Sequence, residues 1–373
     1  MTDAHAQTGE SPISAIEDII EDARNGRPYI LVDAEDRENE GDVVIPAQFA
    51  TPDMINFMIR YARGLVCLSM TGERARALRL PPMAQNNGAR HGTAFTVAIE
   101  AREGVSTGIS PHDRARTISV AIDPSKGADD LVSPGHVFPL VARDGGVLVR
   151  AGHTEAAVDI SRMAGLYPAG VICEIINEDG TMARLPDLVV FAQLHGLKIG
   201  TIADLIAYRR RTERFVEPVL EQPFQSRWGG TFRLCVYRNS LDGTEHVALV
   251  KGQPHADQPT LVRMHPVDFA SDVMGEVGER SDYLSRALQA CADYDSAAVV
   301  VLLRDPDPNW LTKRFTGEHS REASQRGLRD YGVGAQILLD LGVRDMIALS
   351  SSQPKPAALE GYGLKIQDWR PLS

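Results

Sequence analysis

Residues 33–42 carry six carboxylates and one guanidinium within ten positions, and they lie between two short apolar runs. Tyr29-Ile-Leu-Val32 leads in and Val43-Val-Ile45 leads out. Each run has the length and β-branched character of a buried strand. An acidic connection pinned between packed strands repels itself. A divalent cation, a cationic ligand group or full solvation has to offset that repulsion. A solvated acidic turn is the plain alternative. Two residues argue against it. Gly41 permits a special backbone angle, and Arg37 is set inside the run to bind an anion or orient a carboxylate.

At 373 residues the chain is long enough for two domains, each with its own core. A formal net charge of -11 disfavours nucleic acid and anionic membranes as partners, while local arginines can still receive an anionic substrate. Cys67, Cys173, Cys235 and Cys291 are far apart and form no Cys-x-x-Cys pair. That pattern argues against a disulfide framework or a cysteine-rich zinc site and suits a reducing cytoplasm. Residues 1–12 read as a polar, flexible tail with no signal-peptide core. No apolar stretch is long enough to span a bilayer.

Ile13, Ile16, Ile19, Ile20 and Ala23 recur at helical spacing, and Asn25-Gly26 supplies the stop. Thr51-Pro52 pairs an N-cap with a first-turn proline and opens a helix expected to run to Ala62. Strands are expected over 65–69, 95–99, 147–149 and 171–176. Residues 133–139 read as a rigid loop holding His136, and residues 112–117 as a helical turn with a cationic side. Helices are expected over 188–195 and 202–210. The proline- and glycine-bearing stretch 218–230 marks the domain junction. Beyond it, strands are expected over 247–250, 297–303 and 346–349, with a helix over 334–341. Strands and helices mix without regular βαβ alternation, which indicates an α+β fold in both parts.

Arg150-Ala-Gly-His-Thr154 has the chemistry of an anion pocket. Gly152 allows close backbone approach, Thr154 is placed to cap the next helix, and the helix start offers free N–H groups. Arg150 adds a bidentate phosphate contact. The competing assignment is an arginine before a capped helix. His153 becomes a metal ligand if the acidic loop is close. One loop carboxylate and one histidine would leave coordination positions open for a polyhydroxy ligand; the histidine suits Mn²⁺ better than Mg²⁺. Glu174 on a buried strand and His136 on a loop are candidate proton carriers. A paired structural acid and a loop anchor are their respective alternatives.

Five segments together resemble the 3,4-dihydroxy-2-butanone 4-phosphate synthase family: Asp36-Arg-Glu-Asn-Glu-Gly-Asp42; Ser106-Thr-Gly-Ile-Ser110 with Asp113, Arg114 and Thr117; Gly135-His-Val-Phe-Pro-Leu140; Arg150-Ala-Gly-His-Thr-Glu155; and Cys173-Glu174. They occur in order, within residues 13–211. The resemblance implies a compact α+β domain and a homodimer with sites near its interface. It implies Mg²⁺ or Mn²⁺, two ions per site, on Glu38 and His153. It implies D-ribulose 5-phosphate as substrate, with formate and L-3,4-dihydroxy-2-butanone 4-phosphate as products. His136, Glu174 and Cys67 match catalytic positions. Arg37, Glu38, Asp42, Thr107, Asp113, Arg150, Ala151, Gly152, His153, Thr154 and Glu174 match substrate positions. Another metal-dependent sugar-phosphate isomerase or aldolase is the competing expectation.

After a linker at 212–223, residues 224–373 resemble GTP cyclohydrolase II. Leu261-Val-Arg-Met-His265, Asp272-Val-Met-Gly275 and Leu328-Arg-Asp-Tyr-Gly-Val-Gly-Ala-Gln-Ile-Leu338 carry that likeness. Where the family binds zinc through three cysteines, this chain has Asp268, Glu279 and Ser281, so no zinc is expected. The family's glycine- and arginine-rich stretch is replaced near residues 304–310. The second domain is therefore expected to lack cyclohydrolase activity and to serve as a nucleotide-sensing or scaffold module.

Overall fold

The computed structural model describes residues 11–372, apart from 89–91, 256–257, 279, 306, 308, 317–322, 351–358 and 360–361. Most of the flexible tail expected at the N-terminus lies outside the described residues. The chain forms two compact units, Met1–Arg209 and Arg210–Ser373.

In the first unit, β1 (Tyr29–Val32), β2 (Gly41–Pro46), β3 (Cys67–Thr71), β4 (Ile99–Ala101), β5 (Leu131–Ala142), β6 (Ala169–Glu174) and β7 (Ile199–Thr201) form one mixed sheet. Its order is β4-β5-β3-β6-β2-β1-β7. Helices cover both faces: α1 (Ile16–Arg24), α2 (Pro52–Phe57), α3 (Gly72–Ala77), α4 (Pro111–Ile122), α5 (His153–Met163), α6 (Leu185–His195) and α7 (Ile202–Thr212). Ile55, Ala75, Ile118 and Leu188 bring α2, α3, α4 and α6 to one face. Ile19, Ala157 and Leu205 bring α1, α5 and α7 to the other. Sheet residues such as Val171 and Val44 are buried on alternating faces, which explains the uninterrupted apolar runs.

Several local expectations are corrected. The helix opened by Thr51 stops at Phe57, and Met58–Ala62 widens into a π-turn. It closes at left-handed Arg63, whose N–H donates to the Met58 carbonyl. Such single wide turns redirect a chain where an α-turn would overshoot. The strand expected at 95–99 begins only at Ile99. The stretch read as a rigid loop around His136 lies inside β5, and residues 133–136 bulge between the pairs Glu100↔Val132 and Ile99↔Val137. Residues 147–149 are not a strand; Gly146–Leu148 is a 3-10 turn.

The expected linker is largely strand as well. In the second unit, β8 (Val216–Ser226), β9 (Gly230–Asn239), β10 (Glu245–Lys251), β11 (Thr260–Pro266), β12 (Ala298–Leu303), β13 (Asp345–Ser350) and β14 (Lys365–Pro371) form a sheet in the order β14-β13-β11-β12-β10-β9-β8. Pro218 and Pro223 fit because β8 is an edge strand. Its helices are α8 (Phe269–Asp272), α9 (Tyr283–Ala292), α10 (Trp310–Thr316) and α11 (Ala323–Asp340). A methyl group on Gly332 would lie 2.8 Å from the Tyr362 hydroxyl, and one on Gly334 would collide with Met264. Gly334 lets α11 approach Met264 of β11, and Gly332 lets it approach Tyr362.

Candidate active site

The sheet register brings the expected residues to one end of the first unit's sheet. Asp42 pairs with Glu174 between β2 and β6. Cys67 pairs with Ile172 on β6 and with Phe138 on β5, two residues inward from Glu174 and His136 respectively. His153 opens α5, with Nε2 3.1 Å from the Leu31 carbonyl and 3.7 Å from Asp42 Oδ1.

Asp33, at the exit of β1, organises the acidic loop. Its carboxylate accepts from the Glu38 N–H (3.2 Å), the Glu40 N–H (2.8 Å) and Arg37 Nη1 (2.6 Å). Arg37 Nη1 also reaches Glu38 Oε2 at 2.6 Å, so this arginine orients two carboxylates. Arg184, at the N-cap of α6, donates to the Glu38 and Asn39 carbonyls. The special backbone angle belongs to Asn39, at φ 55°, and not to Gly41. Gly41 is required for another reason: a methyl group there would come within 2.7 Å of Leu188.

Ligand atoms of Asp33, Glu38 and His153 lie within 4.8 Å of one another, a donor set that could hold a metal ion. The surroundings fit a cation. Asp42 is buried, and its Oδ1 has no hydrogen-bond partner. Burial pushes its carboxyl well above the usual range, and Glu174, Glu40, Glu38 and Asp33 add to the rise. Burial followed by Glu38 and Glu174 also raises Glu40. A buried, unpartnered carboxylate oxygen among like charges is costly unless positive charge meets it. His153 is buried, which lowers its pKa and favours the neutral, ligating imidazole.

A cationic region adjoins these acids. A methyl group on Gly152 would lie 2.5 Å from Arg150 Nη1 and 3.0 Å from Arg37 Nη2, so both guanidiniums crowd the glycine that caps α5. Thr154 is not the cap; it is buried in the first turn, and Gly152 holds the cap position without a side-chain bond. Arg150 is anchored by Glu155 (2.6 Å), whose other oxygen accepts from the Arg143 N–H (3.0 Å). Ala151 connects Arg150 to the cap and is exposed.

Glu174 is fixed by the Leu65 N–H, 2.8 Å from its Oε2. Gly64 makes room for it, since a methyl group there would lie 2.6 Å from both the Glu174 nitrogen and Oε2. His136 places Nδ1 2.7 Å from Glu100 Oε2. Asp113, matched to a substrate position, holds its own segment: Oδ2 accepts from the Ser106 hydroxyl (2.8 Å) and the Gly108 N–H (3.0 Å). The Ser106 bond leads in keeping its carboxyl below the usual range. Thr107 is exposed beside it. Cys67, grouped with the catalytic residues from sequence, is a buried thiol pushed far above its ordinary value by burial and then by Glu174 and Asp42. It packs in the core cluster on the α1, α5 and α7 face of the sheet.

Asp33, Gly64, Glu100 and Arg184 escaped the sequence reading. The first and third carried a signal: each is an acid at the edge of an apolar run. Gly64 and Arg184 act through contacts more than 100 residues away in sequence, which no local pattern encodes.

In the second unit, two of the three positions aligned with zinc ligands have other partners. Asp268 caps α8 through the Ala270 and Ser271 N–H groups and pairs with Arg314 Nε at 2.8 Å. Arg314 also reaches Glu276 at 2.5 Å. The Ser281 hydroxyl donates to the Glu276 carbonyl and accepts from the Gly278 N–H. Glu279 lies outside the described residues. His265 and Asp272, beside them, form a buried pair at 2.9 Å.

An acidic sheet end beside two converging arginines, with a histidine and a buried carboxylate in the same row, defines an enzyme for a small polyoxygenated anion. Comparison with known proteins narrows this. The family model described as 3,4-dihydroxy-2-butanone 4-phosphate synthase matches residues 17–208, and that described as GTP cyclohydrolase II matches residues 217–371. A 3,4-dihydroxy-2-butanone 4-phosphate synthase of Neisseria meningitidis serogroup B is 50% identical, with 95% of this chain and 98% of that protein covered. The crystal structure of RibBX, a two-domain 3,4-dihydroxy-2-butanone 4-phosphate synthase from A. baumannii, superposes with a TM-score of 0.75 at 43% identity, covering 96% of this chain and 99% of that one. A synthase crystallised in complex with two magnesium ions gives a TM-score of 0.52 at 40% identity, covering 54% of this chain and 98% of that one.

The chain belongs to the 3,4-dihydroxy-2-butanone 4-phosphate synthase family. It is a lyase of riboflavin biosynthesis that takes a sugar phosphate, D-ribulose 5-phosphate, to L-3,4-dihydroxy-2-butanone 4-phosphate and formate. The isomerase and aldolase alternatives fall with this assignment.

Proposed function

We propose that the first unit carries the whole synthase site, with Glu38, His153 and Asp33 holding divalent cation, Mg²⁺ or Mn²⁺, two ions per site. The observation that carries this reading is the buried Asp42 oxygen left without a partner beside the Asp33, Glu38 and His153 donor set. A related synthase crystallised with two magnesium ions supports it. When bound, the cation supplies Lewis-acid stabilisation of negative charge on substrate oxygens.

This chain's residues do the rest. Arg150, Arg37 and the backbone from Ala151 to Thr154 receive the phosphate at the start of α5, where the helix N-terminus and two guanidiniums coincide. Asp42 and Glu174 face the sugar from adjacent strands. Glu174 is held by the Leu65 N–H, and His136 stands at the far end of the row. Between them they move the protons that enolisation and loss of a hydroxyl require. Thr107 is exposed where a second chain would meet it. Leu65, Val149 and Ile109 are exposed apolar side chains flanking the site residues, which favours a homodimer through this unit. No described helix is long and apolar enough to cross a membrane.

The second unit is assigned no cyclohydrolase activity. Its Asp268, matched by resemblance to a zinc-ligand position, caps α8 and pairs with Arg314, which supports that reading. Its role as a nucleotide-sensing or scaffold module is what remains.

Formate release from D-ribulose 5-phosphate, assayed before and after exhaustive chelation, tests the central reading. Activity should vanish and return on addition of Mg²⁺ or Mn²⁺. Full turnover in metal-free protein would remove the cation from the site.

A further inference from the structure

His136 does not stand alone. Its Nδ1 lies 2.7 Å from Glu100 Oε2, and Glu100 is a glutamate on the short edge strand β4, with a side chain only 12% exposed. Its second oxygen, Oε1, accepts from the Thr117 hydroxyl at 3.4 Å, and Thr117 is fully buried on α4. The Thr117 oxygen in turn accepts from the Ala101 N–H at 3.0 Å. Two glycines make the contact sterically possible. Gly108, at φ 84°, covers the carboxylate so closely that a methyl group would collide with Oε2. Gly135, on the bulge of β5, lies against the backbone at Glu100, where a methyl group would sit 2.5 Å from its nitrogen. Ser106 and Gly108 are tied down by Asp113. Thr117 and Gly108 thus close on one carboxylate, Gly135 closes on its backbone, and that carboxylate faces one ring nitrogen.

We infer that Glu100 is a positioning residue for His136, fixing the ring as the tautomer protonated on Nδ1. This rests on the proposal that His136 carries a proton during turnover. A carboxylate accepting from Nδ1–H leaves the lone pair on Nε2, which makes no hydrogen bond among the described residues. With 42% of the side chain exposed, that face of the ring is open. A proton leaving the substrate then passes to Nε2 while its electron pair stays on the substrate. The resulting imidazolium is stabilised by the same carboxylate.

The test uses full-length protein with saturating Mg²⁺. In Glu100→Gln, kcat for formate release should fall about tenfold or more, because an amide no longer selects the tautomer, while KM stays within about twofold. Glu100→Asp should recover part of the loss. In ¹⁵N-histidine NMR of the unaltered protein, His136 should show a downfield Nδ1–H proton, assigned by its loss in His136→Ala. That measurement stands even where a variant fails to fold. An Nε2–H tautomer, or Glu100→Gln turning over within about twofold of the unaltered enzyme while His136→Ala is inactive, overturns this inference alone. Full turnover in His136→Ala instead overturns the catalytic reading of His136, and the positioning role goes with it.

Discussion

Asp42 and Glu174 are Cα partners across the antiparallel strands β2 and β6, so two carboxylates share one row of the sheet with a single strand spacing between them. Burial raises the cost of ionising Asp42, and the neighbouring Glu174 charge adds to it. Asp42 is buried with one oxygen unpartnered. Substituting it should separate stability from function. Asp42→Asn should raise the unfolding midpoint of metal-free protein at neutral pH and abolish formate release. It should also shrink the upward shift of the midpoint that Mg²⁺ produces. Thermal unfolding with and without Mg²⁺ reads all of this. An equal Mg²⁺ shift in variant and unaltered protein would show that Asp42 does not sense the cation.

Gly64 is the hinge between the π-turn and β3, and its Cα lies against the backbone and carboxylate of Glu174. Overpacking of this kind typically costs about 1–3 kcal/mol. Gly64→Ala should therefore lower the unfolding midpoint by roughly 2–12 °C in a unit of this size. It should also reduce kcat by displacing Glu174 from the Leu65 N–H. The check is calorimetry alongside the formate assay. Unchanged kcat with a lowered midpoint would mean that the position of Glu174 does not matter to turnover.

Arg150 is held at the α5 start by Glu155 and stands beside Arg37 over Gly152. A charged hydrogen bond to phosphate contributes about 1.5–3 kcal/mol. Arg150→Ala should accordingly raise KM for D-ribulose 5-phosphate by roughly 10- to 150-fold. Initial-rate kinetics at saturating Mg²⁺ measure it, and an unchanged KM would place the phosphate elsewhere.

The acidic run and the α+β class were readable because each rests on local chemistry: charge density, apolar periodicity and caps; the ordered set of five segments was readable only through its resemblance to a family. The misread stretches have a common cause. The bulge of β5 looked like a loop because Ser133, Pro134 and Gly135 are turn residues, yet pairing with β3 and β4 overrides that preference. β8 looked like a linker because it contains two prolines, which an edge strand tolerates. Gly41 was credited with an unusual backbone angle, when the constraint is the approach of Leu188 from α6. Cys67 reads as a core residue by type alone and as a catalytic position by family resemblance, and the structure buries it in the sheet. For the β5 bulge and Gly41 the deciding partner is remote in sequence; for β8 it is the adjacent strand β9.

His246, in the second unit, should make that unit sensitive to acid. It is buried on β10, Nδ1 accepts from the Arg304 N–H at 3.2 Å, and Nε2 has no partner. Burial lowers its pKa, with Asp242 opposing and Arg304 assisting. A histidine whose folded value is depressed contributes stability above its ordinary value of 6.5. That contribution is lost as pH falls toward the folded value, because the unfolded chain takes the proton first. The unfolding midpoint should therefore drop on going from about pH 7.5 to about pH 5.5, and the drop should be smaller in His246→Gln. Equal drops in both proteins would show that His246 is not the group responsible.

The last expectation concerns GTP. The purified protein should not convert GTP to formate and a diaminopyrimidine, with or without added zinc. A catalytic zinc needs about three firm protein ligands and an open position to bring its bound water to a pKa near 7. Asp268 would have to give up the cap of α8 and its 2.8 Å pair with Arg314 before it could ligate. Ser281 offers a hydroxyl already bonded twice within its own loop, and an alcohol is a poor zinc ligand. Deleting residues 224–373 should leave measurable synthase activity, since every residue assigned to the sugar phosphate lies in the first unit. Restoring cysteine at positions 268, 279 and 281 should not restore turnover by itself, because residues 304–310 are also altered and Arg314 would lose its partner. Zinc-dependent GTP hydrolysis at one metal per chain, in protein freed of contaminating cyclohydrolase, would overturn the assignment of the second unit as a catalytically silent module.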